Sequence, residues 1–274
     1  MIDDWVKLTR LSNAVIAGFG VWLGHACLPG PIDWISATLG FLALAFLAAA
    51  GNIHNDILDI EADRINRPNR PLPSGRLHRP MAVRAAVAIY LTAIASALFI
   101  DILSGLIVAG MALLLILYNL KLKSLPMWGN LAVAVLCALA VYFPEFPGWP
   151  IHTGLPALFA LLTTLAREIA KDAEDVVGDK AVGSSTFPIR YGEMATRHAL
   201  RILIIALFLL LPIPHFWLNY HLGYTLLVLV GPVPLLIIML RSLSQPRVDW
   251  SRIQKHWKWI MLAGMAAIFV GINF

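Results

Sequence analysis

The chain has 274 residues, of which 59% are hydrophobic and only 14% charged, with a mean hydropathy of +0.76. A soluble domain carries roughly 25% charged residues, so this composition excludes an ordinary soluble enzyme and points to an integral membrane protein. The net charge of +5 would suit a nucleic-acid partner, but topology explains it better and no such partner is expected.

The opening Met1-Ile2-Asp3-Asp4-Trp5 lacks the basic leader and small-residue cleavage site of a secretory signal, so the first helix is expected to be retained. Nine apolar spans then follow, at 11–29, 35–58, 80–100, 103–120, 127–144, 154–174, 196–217, 221–241 and 257–273. Each approaches the ~20 residues that a helix needs to cross a bilayer. Helices are expected throughout, because an open strand cannot satisfy its backbone in lipid. The spans leave no room for a separate soluble unit, so residues 1–274 read as one domain. Cys27 and Cys137 fall inside apolar stretches without metal-ligand spacing and read as core residues.

The connectors alternate in character. Those containing Pro29-Gly30-Pro31, Phe143 to Pro150 and Pro212 to Trp217 hold no lysine or arginine, and all 21 basic residues lie on the other side. The positive-inside rule makes that side cytoplasmic, with the N-terminus inside and the C-terminus outside. The fold class expected is therefore all-α and polytopic, with nine transmembrane helices.

Carboxylates gather at two helix ends on the basic side. Asp56, Asp59 and Asp63 follow D-x2-D-x3-D at the end of the second span, and Asp172, Asp175 and Asp179 repeat the pattern at the end of the sixth. On a continuous helix Asn55, Asp59 and Asp63 share one face, as do the three later aspartates with Glu168 a turn before them. Stacked carboxylates repel one another unless a cation sits among them. Hard oxygen ligands suit Mg²⁺, which takes one or two carboxylates together with substrate phosphates. Two clusters imply two Mg²⁺ positions bracketing a diphosphate. Either cluster alone could be a solvated helix end paired with Arg64, Lys171 or Lys180, but the repetition argues against that for both.

The loops that follow add phosphate-binding chemistry. Pro68, Pro71 and Pro73 stop the helix after the first cluster. Arg67 stands just before them and Arg70 between them, either to grip phosphate oxygens or to anchor the chain at anionic lipid. Lipid anchoring is the reading for Arg79, Arg84, Arg197 and the basic residues of 241–258.

These residues resemble the UbiA-type superfamily of intramembrane prenyltransferases. Its N-x3-D-x3-D motif is matched by Asn55, Asp59 and Asp63, its N-R-P-x-R-P-[LI]-P-S-G signature by Asn66 to Gly75, and its D-x3-D motif by Asp175 and Asp179, with Asp172 upstream. The resemblance implies nine helices around a central lipid-facing cavity with the active site on the cytoplasmic side of the cell membrane. It implies an isoprenyl diphosphate donor and a lipid-like acceptor in contact with membrane lipids. Metal binding then falls to Asn55, Asp56, Asp59, Asp63, Asp172, Asp175 and Asp179, and phosphate binding to Asn52, Arg64, Arg67, Arg70, Lys121, Lys171 and Lys180. Asp59, Asp175, Lys123 and Tyr118 are the catalytic candidates, Tyr118 by facing an allylic cation. The family often places a tyrosine and a lysine four residues apart, whereas here Tyr118 is followed at that spacing by Leu122, so either Lys121 or Lys123 supplies the charge.

The segment from Arg167 to Asp179 resembles the branch that makes archaeal-type ether lipids by adding a geranylgeranyl group to the free hydroxyl of geranylgeranylglyceryl phosphate. The competing enzyme reading is an aromatic-acceptor prenyltransferase of quinone or chlorophyll-type pathways. An ion-coupled membrane transporter is the rival from another class, disfavoured because transport sites lie near the midplane and these carboxylates lie at helix ends.

Overall fold

The computed structural model describes residues 2–146 and 152–273. Helices build the fold, and no strand occurs among the described residues. In chain order the helices are α1 (Ile2–Thr9), α2 (Leu11–Cys27), α3 (Trp34–Leu58), α4 (Ile60–Asn66), α5 (Arg79–Leu98), α6 (Ile102–Leu120) and α7 (Trp128–Tyr142). They continue with α8 (Gly154–Ala181), α9 (Phe187–Leu210), α10 (Ile213–Trp217), α11 (Leu222–Val230), α12 (Pro232–Ser242) and α13 (Trp250–Asn273). Every expected span coincides with helix. Among the described residues, six helical segments are long and apolar enough to cross a membrane, and α2 is apolar but shorter. The segments α8 and α13 fall outside that set; α8 carries Arg167, Glu168, Lys171 and Asp172, and α13 carries Arg252, Lys255 and Lys258.

Local chemistry sets the boundaries. Asp33 caps α3 by accepting from the backbone N–H groups of Ile35 and Ser36, and Asp101 caps α6 by accepting from that of Ser104. Pro188 and Pro232 stand in the first turns of α9 and α12, where a missing N–H costs nothing. Three helices depart from the expected continuity. The first is interrupted at Asp59, between α3 and α4. The second is the seventh expected span, which ends as α9 at Leu210 and resumes as α10 at Ile213; α9 also begins earlier than expected, at Phe187, and bends at Gly192, whose φ of 82° suits glycine. In the third, the eighth expected span is split at Gly231 into α11 and α12. Of the Pro-rich connector from Phe143 to Pro150, residues 147–150 lie outside the described residues.

Helix α3 packs against α2 and α5, and α8 packs against α7, α9 and α13. One apolar core gathers around Trp257, Ile169, Leu200 and Met239, and another around Leu44, Leu47, Val108 and Met111. Lipid gives helices no hydrophobic reason to associate, so close packing through small residues must do much of the work. Gly24 of α2 shows how close: a Cβ there would lie 2.1 Å from the Val141 carbonyl oxygen of α7. Large apolar side chains such as Phe99, Leu209 and Val230 face outward.

Arg197 corrects the lipid-anchor expectation. It is buried, pairs with Glu193, and donates to the carbonyls of Leu243 and Gln245, so it ties α9 to the end of α12.

Replacing Gly24 by alanine is expected to lower stability by about 1–3 kcal/mol, the usual cost of overpacking. Thermal unfolding in lipid or detergent measures this. Gly110→Ala is the control, because a Cβ at Gly110 would meet nothing within 4 Å, and its midpoint should hold or rise slightly, alanine being the better helix former.

Candidate active site

The last turns of α3 place Asn55 and Asp56 in a buried polar layer. The helix then breaks at Asp59, which adopts φ −92° and ψ 7° and ends α3 as it starts α4. Its N–H still donates to Asn55 O at 3.0 Å, and Asp63 N–H donates to Asp59 O at 2.7 Å. Asn55, Asp59 and Asp63 thus keep their turn-by-turn relation, although the single continuous face expected for them is interrupted.

The second cluster lies on α8, and Asn66 joins the two. Its Nδ2 donates to Asp175 O at 3.0 Å, and its Oδ1 accepts from Gly178 N at 2.9 Å. A Cβ on Gly178 would stand 2.4 Å from Asn66 Nδ2, so only glycine lets the two segments meet this closely. Arg67, the next residue, reaches Asp175 with Nη1 at 3.0 Å from Oδ2 and Nη2 at 2.8 Å from Oδ1. This is the bidentate geometry that guanidinium favours.

Most of the remaining carboxylates also have basic or amide partners, whereas the half-buried Asp179 carboxylate makes no hydrogen bond or ion pair among the described residues. Arg70 Nη1 lies 2.5 Å from Asp63 Oδ2 and 3.3 Å from Asp56 Oδ1. Lys123, on a short 3₁₀ turn spanning Leu122–Ser124, pairs with Asp59. Asp172 accepts from Asn130 Nδ2 of α7 at 2.7 Å. Glu168 pairs with Arg167 at 2.9 Å and Lys171 at 3.5 Å. Of the two lysines open to the sequence reading, Lys123 is the one at the carboxylates, and Lys121 is exposed. Arg64 pairs with the exposed Glu61, and Lys180 is exposed, so neither joins the cluster. Asn52 donates to Thr9 O at 3.0 Å and holds the end of α1.

Sequence reasoning missed Arg10. It sits between α1 and α2 with φ 49°, and its guanidinium lies 2.5 Å from Asp56 Oδ1 and 3.3 Å from Asn55 Oδ1. Its position before the first span read as a topology charge, and that signal does not separate an anchor from a ligand. Asn66 was read only as part of a signature, because its bonds cross more than a hundred positions of sequence.

Among the described residues, no three His, Cys, Asp or Glu side chains converge as a ready cation cage. Basic groups separate the carboxylates instead. The donor set nevertheless fits a hard divalent ion. Glu174 Oε2 is buried without a hydrogen-bond partner, and burial holds the Asp63 carboxyl above its ordinary pKa despite the opposing pull of Arg70. Added positive charge would relieve both. A polyanion arriving with its cations can exchange partners here, with phosphate taking the arginines and lysine and metal taking the aspartates.

The polar layer closes one end of a cavity of about 250 Å³. Tyr118, Glu168 and Lys171 line its polar part, and Leu23, Tyr224 and Val228 line apolar wall. Tyr118 is buried at that boundary.

The profile of the UbiA prenyltransferase family matches residues 14–265. A digeranylgeranylglyceryl phosphate synthase of Methanopyrus kandleri is 34% identical over 271 residues, covering 98% of each chain. One of Methanoregula boonei is 39% identical and covers 71% of each. A solved structure described as concerning digeranylgeranylglyceryl phosphate synthase in membranes aligns with TM-score 0.73 at 30% identity, over 99% of this chain and 98% of that one. A UbiA homologue from Archaeoglobus fulgidus, solved with GPP and Mg²⁺, shares the fold at TM-score 0.67 and 18% identity, covering 99% of this chain and all of its own.

Arg10→Ala leaves Asp56 buried with less compensation and is expected to cost about 3–5 kcal/mol. Adding Asp56→Asn should recover part of that loss. A double-mutant cycle read by unfolding in detergent tests the pair, and simple additivity would show that the two groups do not interact.

Proposed function

The chain belongs to the UbiA prenyltransferase family, and from that premise we propose that it transfers a geranylgeranyl group from its diphosphate to the free hydroxyl of geranylgeranylglyceryl phosphate, forming an ether-lipid precursor. The enzyme is a membrane-bound prenyl transferase. The observation that carries the reading is the meeting of the two aspartate motifs, clasped by Asn66 and Arg67, at the polar end of an apolar cavity. The names of the relatives favour a glycerol-phosphate acceptor over an aromatic one. A one-sided carboxylate layer disfavours a transporter.

Nine helical segments cross the cell membrane in this reading, with the N-terminus and the aspartate layer on the cytoplasmic side. Asn55, Asp56, Asp59 and Asp63 hold one Mg²⁺, and Asp172, Asp175 and Asp179 hold a second. When bound, these ions neutralise charge on the diphosphate leaving group.

The chain's own residues do the rest. Arg67, Arg70 and Lys123, released from their aspartates, grip phosphate oxygens with charge-assisted hydrogen bonds. Asn52 and Lys171 stand at the inner side of the layer, toward the cavity. Arg64, Lys121 and Lys180 stand at its rim, where they attract the polyanion. The bond from C1 of the prenyl group to the diphosphate oxygen breaks, and its electron pair leaves with the diphosphate. Tyr118 turns its ring toward the resulting allylic cation. The apolar wall holds the prenyl chain and keeps water from the cation. The acceptor hydroxyl oxygen then bonds to C1 and loses its proton.

Asp59→Asn and Asp175→Asn are each expected to lower turnover by about 100-fold or more, the scale of losing one preorganised electrostatic group, with the fold kept. Chelation of divalent metal should abolish activity and Mg²⁺ should restore it. The assay supplies geranylgeranyl diphosphate with either geranylgeranylglyceryl phosphate or 4-hydroxybenzoate, in lipid. Near-normal turnover of both variants would remove the metal assignment, and product from the aromatic acid alone would overturn the acceptor.

A further inference from the structure

Glu168 and Thr164 lie outside both aspartate motifs, yet both line the cavity. They stand at i+4 and i from each other on α8, with Asp172 at the next step, so the three share a face. At 1.5 Å rise per residue, Glu168 is about 6 Å deeper than Asp172, and Thr164 about 6 Å deeper again. A donor held by its diphosphate at the aspartates would have to project its first carbon inward, toward the level of Glu168, for its chain to enter the cavity.

The surroundings of the two side chains are unusual. Glu168 is only 5% exposed, and a buried carboxylate within a membrane is costly enough to mark function. Arg167 meets one of its oxygens at 2.9 Å and Lys171 the other at 3.5 Å. These partners hold it ionised while each oxygen keeps accepting capacity. Thr164 is 1% exposed and its Oγ1 meets no hydrogen-bond partner stronger than the Cys137 thiol beside it. A buried hydroxyl so weakly partnered, one helical turn from a carboxylate in a cavity, is ready for an incoming polar group.

We propose that Thr164 and Glu168 form the subsite for the acceptor's hydroxyl, with Thr164 Oγ1–H donating to the hydroxyl oxygen and the Glu168 carboxylate accepting its proton. The proposal rests on the prenyl-transfer reading above. As the hydroxyl oxygen bonds to C1, the C1–diphosphate bond breaks with its electrons on the diphosphate. The hydroxyl proton passes to Glu168 and later leaves to solvent or to the released diphosphate, so the carboxylate is regenerated.

The test compares Glu168→Gln, Glu168→Asp and Thr164→Val with the unaltered protein in lipid, using geranylgeranyl diphosphate and geranylgeranylglyceryl phosphate. Binding of the unreactive donor geranylgeranyl thiolodiphosphate is measured alongside. Glu168→Gln should lower kcat by about 100-fold or more, the usual share of a general base, while thiolodiphosphate binding is unchanged. Glu168→Asp should regain part of the rate. Thr164→Val should raise the acceptor KM by about 3- to 10-fold, the worth of one hydrogen bond, with kcat falling less than in Glu168→Gln. Retained kcat in Glu168→Gln, or joint loss of donor binding and turnover, overturns the proposal. Ether formation missing from the unaltered protein, with donor binding intact, would instead bring down the acceptor reading and this proposal with it.

Discussion

The arrangement depends on holding like charges close together inside a mostly apolar protein. Six aspartates gather at one end of the helices, and alone they would drive α3, α4 and α8 apart. Arg10, Arg67, Arg70 and Lys123 prevent this by sitting between them. Breaking a pair leaves a poorly hydrated charge with less compensation, most costly at the buried Asp56 and Asp63. The same interleaving makes the layer receptive, since a metal-bound polyanion offers every charge in it a replacement partner.

Geometry is secured separately from charge. Asn66 ties the two motifs through backbone groups, its amide spanning Asp175 O and Gly178 N, and Gly178 leaves room for it. This clasp does not require that any ion pair persist. The carboxylates can therefore trade partners without the two segments drifting apart, and the apolar helices behind them can hold the cavity's shape.

Much of this was legible in the sequence because the physics is local or periodic. Span length, basic-residue placement and repeated aspartate spacing located the helices and both clusters. Arg197 and Arg10 were not legible, because counting basic residues treats each one as an anchor, whereas Arg197 is buried against carbonyls and Arg10 against Asp56. The break at Asp59 was hidden because Asn55, Asp59 and Asp63 have the spacing of an uninterrupted helix. Thr164 gave no sign either, since a threonine pair in an apolar run is ordinary until one hydroxyl, that of Thr163, is found bonded to its own helix and the other left with only a thiol beside it. Arg67 and Arg70, which the sequence left between lipid and phosphate, stand among the aspartates.

The left-handed residue between α1 and α2 has a consequence for how such a chain can change in length. Arg10 alone turns the corner, and α1 is held on the other side by Asn52 at Thr9 O and by Arg76 at Asp4. Inserting or deleting one residue in the first turns of α2 would rotate what precedes it by about 100° around the helix axis. The guanidinium would then swing away from Asp56 while α1 lost its moorings. Length variation should therefore be tolerated in the outer connectors and purged from this corner, though the corner lies more than forty positions from the carboxylates it serves.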